Sequence, residues 1–162
     1  MTKLQNDIHE ILDKAEAIIA TGEPVVMPLT HRFTDGMYIR EIFMPAGTLL
    51  TSKIHKTNHP FVVTKGKCKV FDGTKIENIV GPHTGITEPN TRRLLYIEED
   101  TTWLTFHVTD KTDVDEIEKE IIEERENNLV DQELLNEFNK INRESNEYIN
   151  KNKEELLCHG QQ

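Results

Sequence analysis

The stretch from residue 24 to 109 constrains the fold most, because it is a chain of short runs rich in β-branched and aromatic residues with no helical periodicity between them. Residues 25–27, 37–44, 48–54, 61–64, 67–71, 94–97 and 103–108 read as strands. Asp35-Gly36, Pro45-Ala46-Gly47, Lys65-Gly66, Asp72-Gly73, Gly81-Pro82 and Glu99-Asp100 read as the turns between them. Strands so short, at such regular spacing, predict an antiparallel sandwich or barrel.

Helical patterns flank this segment. Leu4, Ile8, Ile11, Ala15, Ile18 and Ile19 recur at helical spacing and end at Thr21-Gly22, which predicts an amphipathic helix packed on the domain through that stripe. After Asp110, Val114, Ile117, Ile121 and Ile122 form a second stripe with Thr112 or Asp113 as N-cap. Val130, Leu134, Phe138, Ile141 and Tyr148 form a third among eight asparagines. The expected organisation is residues 1–23 as an N-terminal helix, 24–110 as the β-domain and 111–162 as an acidic helical tail.

Charge follows the same divisions. Net charge is -3 over residues 1–30, +1 over 31–110 and -8 over 111–162, and eight of the ten aromatic residues lie in the middle segment. An acidic exterior repels phosphate backbones, so a nucleic-acid polymer is excluded as a partner. No apolar run reaches the roughly 18–20 residues of a membrane span. Cys68 and Cys158 form neither a metal-type nor a redox-type pair. With no apolar signal segment among the opening residues, the expected compartment is the cytoplasm.

The chemistry concentrates between two glycines: Gly47, five residues, Lys53, Ile54, His55, three residues, His59, six residues, Gly66. This spacing resembles the first motif of the cupin family, G-x5-H-x-H-x3-E-x6-G, with Lys53 at the first histidine position and His59 at the glutamate position. Pro89-Asn90-Thr91 resembles the turn of the second motif, whose histidine would fall on Leu94. Over residues 24–125, runs such as His31-Arg32-Phe33, Met44-Pro45-Ala46-Gly47-Thr48 and Arg92-Arg93 are similar to small cupin-like proteins of phage genomes. The resemblance implies a mainly β fold, a double-stranded β-helix or jelly-roll barrel. It also implies a metal held by residues of the first motif, and a host-cytoplasmic location if the chain is phage-encoded.

Physical reasoning on these residues leaves two functional readings. On a straight strand, side chains at i and i+2 share a face, which would put Lys53 and His55 together in the lumen. His55 and His59 on such a strand would have Cα atoms about 13 Å apart, too far to share an ion. A reversal at Lys56-Thr57-Asn58, helped by the extended bias that Pro60 imposes on His59, could bring them together. His107, alternating with Trp103 and Thr105, is the leading third ligand, ahead of His31 and His83. Three such imidazoles suit a divalent Zn, Fe or Mn ion, and the runner-up reading is a metal-dependent oxygenase, isomerase or hydrolase.

The first reading uses the opposite charge logic. Tyr38, Arg40, Lys53, His55, His59, Arg92, Tyr96 and His107 are donor types that hold a small anionic ligand, since charge-assisted hydrogen bonds are about twice as strong as neutral ones. A phosphate- or nucleotide-type ligand, sequestered without turnover, is the specific expectation if the phage resemblance holds. A third reading makes the chain an assembly protein working through its tail. The barrel and the C-terminal helices are the expected surfaces of a homo-oligomer.

Overall fold

The computed structural model describes residues 3–123; the expected stripe from Val130 to Tyr148 and the pair Cys158-His159 lie outside them. Helix α1 (Lys3–Ile19) is followed by strands β1 (Leu29–Thr34), β2 (Met37–Met44), β3 (Leu49–Thr51), β4 (His59–Phe71), β5 (Ile76–Val80), β6 (His83–Thr87) and β7 (Leu94–Val108), then helix α2 (Val114–Ile121). Every strand pairing is antiparallel. Among the described residues no helix is long and apolar enough to cross a membrane.

Two long strands organise the sheet. The first half of β4 pairs with β6 and its second half with β5, while β7 runs along its other edge. The second half of β7 pairs with β2, which carries β1, and its first half pairs with β3. Two layers result, β1-β2-β7-β4-β6 and β3-β7-β4-β5, and both long strands belong to both layers. Residues from the two layers meet in one core that includes Met44, Phe61, Val63 and Trp103 from the first and Cys68, Val70, Ile79 and Ile97 from the second. Burial pushes the Cys68 thiol up to about 11, with Glu98 adding to the effect, so this sulfur is an inert core atom.

The sequence pattern breaks β4 and β7 at Lys65-Gly66 and Glu99-Asp100, whereas each is continuous. In β4 the pairing register shifts between Val63 and Cys68, and Gly66 sits there at φ 100° with the space for a Cβ already taken by the Asp100 carbonyl and Thr101 at 2.4 Å. This bulge changes the strand's phase. His59, Phe61 and Val63 are buried before it, Cys68 and Val70 after it, so odd positions face the core in one layer and even positions in the other. The expected strand at 25–27 does not form, that at 48–54 shortens to β3, β1 and β6 carry too few apolar residues to stand out, and β5 is a further strand with no counterpart in the expected set.

Both described helices have specific anchors. In α1 the buried face carries His9 and Leu12, while Leu4, Ile11 and Ile18 of the expected packing stripe are 60%, 55% and 45% exposed. A buried arginine anchors this face: Arg92 donates to the Asp13 and Glu16 carboxylates. The other half of the stripe, Ile8, Ala15 and Ile19, is partly buried beside Leu12, and Asp13 and Glu16 supply the counter-charge a buried guanidinium needs. Helix α2 is N-capped by Asp113, which accepts from the Glu116 N–H at 3.0 Å, and buries Ile117 and Ile121 against Tyr38.

Candidate functional site

The register of the first layer builds the site row by row. Tyr38 lies opposite His107, and Arg40 lies opposite Thr105, with Phe61 on the other side of Thr105. Ile42 lies opposite Trp103 and Val63 beyond it. Continuing the β4–β7 register brings His59 beside His107, their ring centroids 4.5 Å apart. Three inward rows follow: a histidine row ending in Thr87, which pairs with His59; a row with Arg40, Thr105 and Phe61; and an apolar row with Trp103.

His55 enters from outside the sheet. After β3 ends at Thr51, the segment is held by backbone bonds. Ser52 N–H donates to the Arg93 carbonyl at 2.9 Å, Asn90 N–H donates to the His55 carbonyl at 2.9 Å, and His55 forms a β-bridge with Ile122. The chain then bends at Lys56-Thr57, returning His59 to within 4.2 Å of His55 between ring centroids. Ring nitrogens of His55, His59 and His107 all lie within 4.8 Å of one another.

Electrostatics keeps these rings neutral. Burial lowers His55 and His107 from the usual 6.5 to about 3, and neighbouring histidines and the Arg40 guanidinium push in the same direction. His59 is lowered chiefly by burial, with Arg93 adding to the effect and a hydrogen bond to the Thr57 backbone opposing it. Nδ1 of His59 and Nδ1 of His107 are buried without a hydrogen-bond partner, while Nε2 of His107 lies 3.0 Å from the Thr105 hydroxyl. A histidine whose other nitrogen is held by a hydrogen bond presents a fixed lone pair. These three rings fit a first-row divalent ion: nitrogen ligands on a tetrahedral ion stand roughly 3.3 Å apart, from bonds of about 2.0–2.1 Å. Closure from the observed spread needs only a small ring movement.

His55 and His59 border a cavity of about 220 Å³. Arg40, Arg93, Thr87 and Thr105 join them in its polar wall, the segment Thr51-Ser52-Lys53 forms a further polar edge, and apolar side chains with Trp103 supply the rest. Among the described residues no aspartate or glutamate lines it.

The expected ligand residues divide. Arg40, His55 and His59 line the cavity, and His107 joins the histidine cluster. Tyr38 is buried behind that cluster, stacked on His107 at 5.9 Å with its hydroxyl 2.6 Å from His31 Nδ1. Burial raises its phenol, partly opposed by Arg40. His83 lies beside the Phe61 ring. Lys53 also lines the cavity, but residues 52–54 lie outside any strand, so no shared strand face with His55 places it there, and its half-exposed ammonium pairs with Glu118 at 2.7 Å.

Arg92 and Tyr96 are a phase error. Core-facing positions of β7 are odd, with Leu95, Ile97, Thr101, Trp103 and His107 buried, so Arg92 and Tyr96 fall on the other face. Arg92 holds α1 and Tyr96 is 45% exposed. Arg93 takes the inward place. It donates to the Thr87 hydroxyl at 3.3 Å and lies 5.6 Å from the Phe61 ring centroid. The alternation of Leu95, Ile97 and Trp103 was the signal that could have found it.

No family profile and no curated protein matches the sequence. Among solved structures the chain is similar to a cupin superfamily protein from Desulfitobacterium hafniense, at 8% identity over 58% of this chain and 89% of that chain, TM-score 0.45. A second is an RmlC-like cupin family protein with a double-stranded β-helix fold from Methanocaldococcus jannaschii (11% identity, 54% and 84% coverage, TM-score 0.44). A cupin-2 domain containing protein from Shewanella frigidimarina is similar as well (5% identity, 57% and 89% coverage, TM-score 0.44). An acetylacetone dioxygenase from Acinetobacter johnsonii is also similar (15% identity, 51% and 59% coverage, TM-score 0.44). The chemistry of this barrel rests on its own residues: His55 precedes β4, His59 opens β4 and His107 lies on β7.

Proposed function

We propose that the chain is a small-ligand-binding barrel in which His55, His59 and His107 hold one divalent first-row metal, with an anionic ligand entering the cavity beside it. The observation that carries this reading is the convergence of three buried imidazoles with two unpartnered Nδ1 atoms. Burying an unsatisfied polar atom costs about 1–3 kcal/mol, and a metal ion removes that cost for each nitrogen it binds. Such an ion supplies a Lewis-acid centre with open coordination positions. Neutral rings accept the cation without first losing a proton.

The cavity's size supports a small anion over a whole nucleotide, since about 220 Å³ falls below the roughly 300–1,000 Å³ of sites for drug-sized molecules. The reading is tested by exposing purified full-length protein to Zn²⁺, Mn²⁺ or Fe²⁺, desalting it, and measuring metal by elemental analysis. Near-stoichiometric metal is expected for the wild type and little for His59→Ala or His107→Ala. A wild type that retains none of the three, or variants that retain as much as wild type, would overturn it.

A further inference from the structure

Charge around the cavity is unbalanced. Arg40 and Arg93 both line it, and no ion pair holds either one among the described residues. Glu41 is committed to Arg32, Glu98 to Lys67 and Lys69, and Glu118 to Lys53; Glu77 and Asp72 act on Arg93 only through space, without an ion pair, and neither lines the cavity. The Arg40 Nε is buried without a hydrogen-bond partner. A partly buried guanidinium normally finds a carboxylate or a set of acceptors. Two of them facing one small volume that no acid among the described residues lines mark the place of an anion.

Polarity is also ordered along the cavity. The arginine row lies next to the histidine row, and beyond it come Ile42, Trp103 and Met44 on the same inward faces. Leu50 and Leu95 line the opposite layer. A molecule charged at both ends, or polar throughout, would leave a charged or polar group against that wall unpaired.

We infer that the ligand is a small monocarboxylate with an apolar body, its head between Arg40 and Arg93 beside the three histidines and its body against Met44, Leu50, Leu95 and Trp103. This rests on the reading of the barrel as a small-ligand site, and it assigns the substrate class. A carboxylate matches the planar guanidinium fork. Its charge also offsets the excess positive charge that a divalent ion on three neutral imidazoles adds beside two arginines.

The experiment is a ligand ladder on full-length protein loaded with Co²⁺, followed by calorimetry and by Trp103 fluorescence. The probes are acetate, butyrate, hexanoate, hexanamide, hexylamine, inorganic phosphate and AMP. Carboxylate affinity is expected to rise roughly three- to fourfold per added methylene until the body fills the cavity. Hexanamide and hexylamine should bind at least about tenfold more weakly than hexanoate. Arg40→Met and Arg93→Met should each weaken hexanoate by about tenfold or more while Co²⁺ stays bound. Arg40→Lys and Arg93→Lys, which keep the charge, serve where a methionine variant fails to fold and should lose part of the same affinity. A flat ladder, hexanamide equal to hexanoate, AMP or phosphate tighter than hexanoate, or arginine variants with unchanged affinity would overturn the inference. Should the wild type hold no Co²⁺, the same ladder on metal-free protein decides the carboxylate assignment, and retention of Zn²⁺, Mn²⁺ or Fe²⁺ decides the metal reading separately.

Discussion

Mild acid should destabilise the metal-free protein unusually early, and the size of the effect follows from the two most perturbed histidines. In the unfolded chain their imidazoles titrate near the ordinary 6.5, whereas in the folded protein His55 and His107 titrate at about 3. Between those values the unfolded state binds more protons, so stability falls as the pH drops through that window. At pH 5 each ring contributes a loss of about 2 kcal/mol relative to pH 7.5, and the pair about 4 kcal/mol. That is a large share of the roughly 5–15 kcal/mol by which a domain is stable. Between pH 7.5 and 5 carboxylates with ordinary values of about 3.9 and 4.3 stay mostly ionised, so the loss over that range reports chiefly the histidines. Trp103, the chain's one tryptophan and itself buried in the core, is the natural probe. Urea unfolding followed by its fluorescence should show the midpoint falling by roughly 2 M between pH 7.5 and 5, for a slope of about 2 kcal/mol/M. In the double variant His55→Gln/His107→Gln most of that dependence should vanish. A midpoint that moves by less than about 0.5 M, or a double variant that keeps the full loss, would refute the claim that these rings are buried and neutral. Zn²⁺ at a hundred times its dissociation constant should raise the wild-type stability by about 2.7 kcal/mol at pH 7.5.

Other outcomes test the scaffold. Gly66→Ala forces a Cβ into the Asp100–Thr101 backbone at a left-handed φ, and denaturant melts should show a loss on the order of 3 kcal/mol or an insoluble product. Arg92→Met takes the cation from Asp13 and Glu16 beneath α1; a loss of about 3–5 kcal/mol is expected, with the helix becoming open to limited proteolysis. Lys53→Met breaks only the half-exposed pair with Glu118, so urea melts should register below about 1 kcal/mol.

The β class, the N-cap at Asp113 and the histidines on β4 and β7 were legible in the sequence because each depends on local alternation or local spacing. Phase was harder. A bulge at Gly66 shifts which residues of β4 face inward, and only pairing with β7 reveals it. Arg92 and Arg93 are adjacent in sequence and chemically identical, yet one holds a helix and the other lines the cavity. The strand expected over residues 48–54 stops at Thr51, so Lys53 reaches the cavity edge from a loop and not from a strand face. Helix α1 shows the remaining limit: Leu4, Ile11 and Ile18 of its stripe are exposed, while the pairs of Asp13 and Glu16 with Arg92 join residues that no local window of sequence contains.

Because β4 and β7 each thread the whole thickness of the molecule, neither layer has a boundary at which it could come apart alone. Melting should therefore be a single event for residues of the barrel, and any molecule seated against Trp103 at one end would delay the loss of order around Val70 and Ile79 at the other.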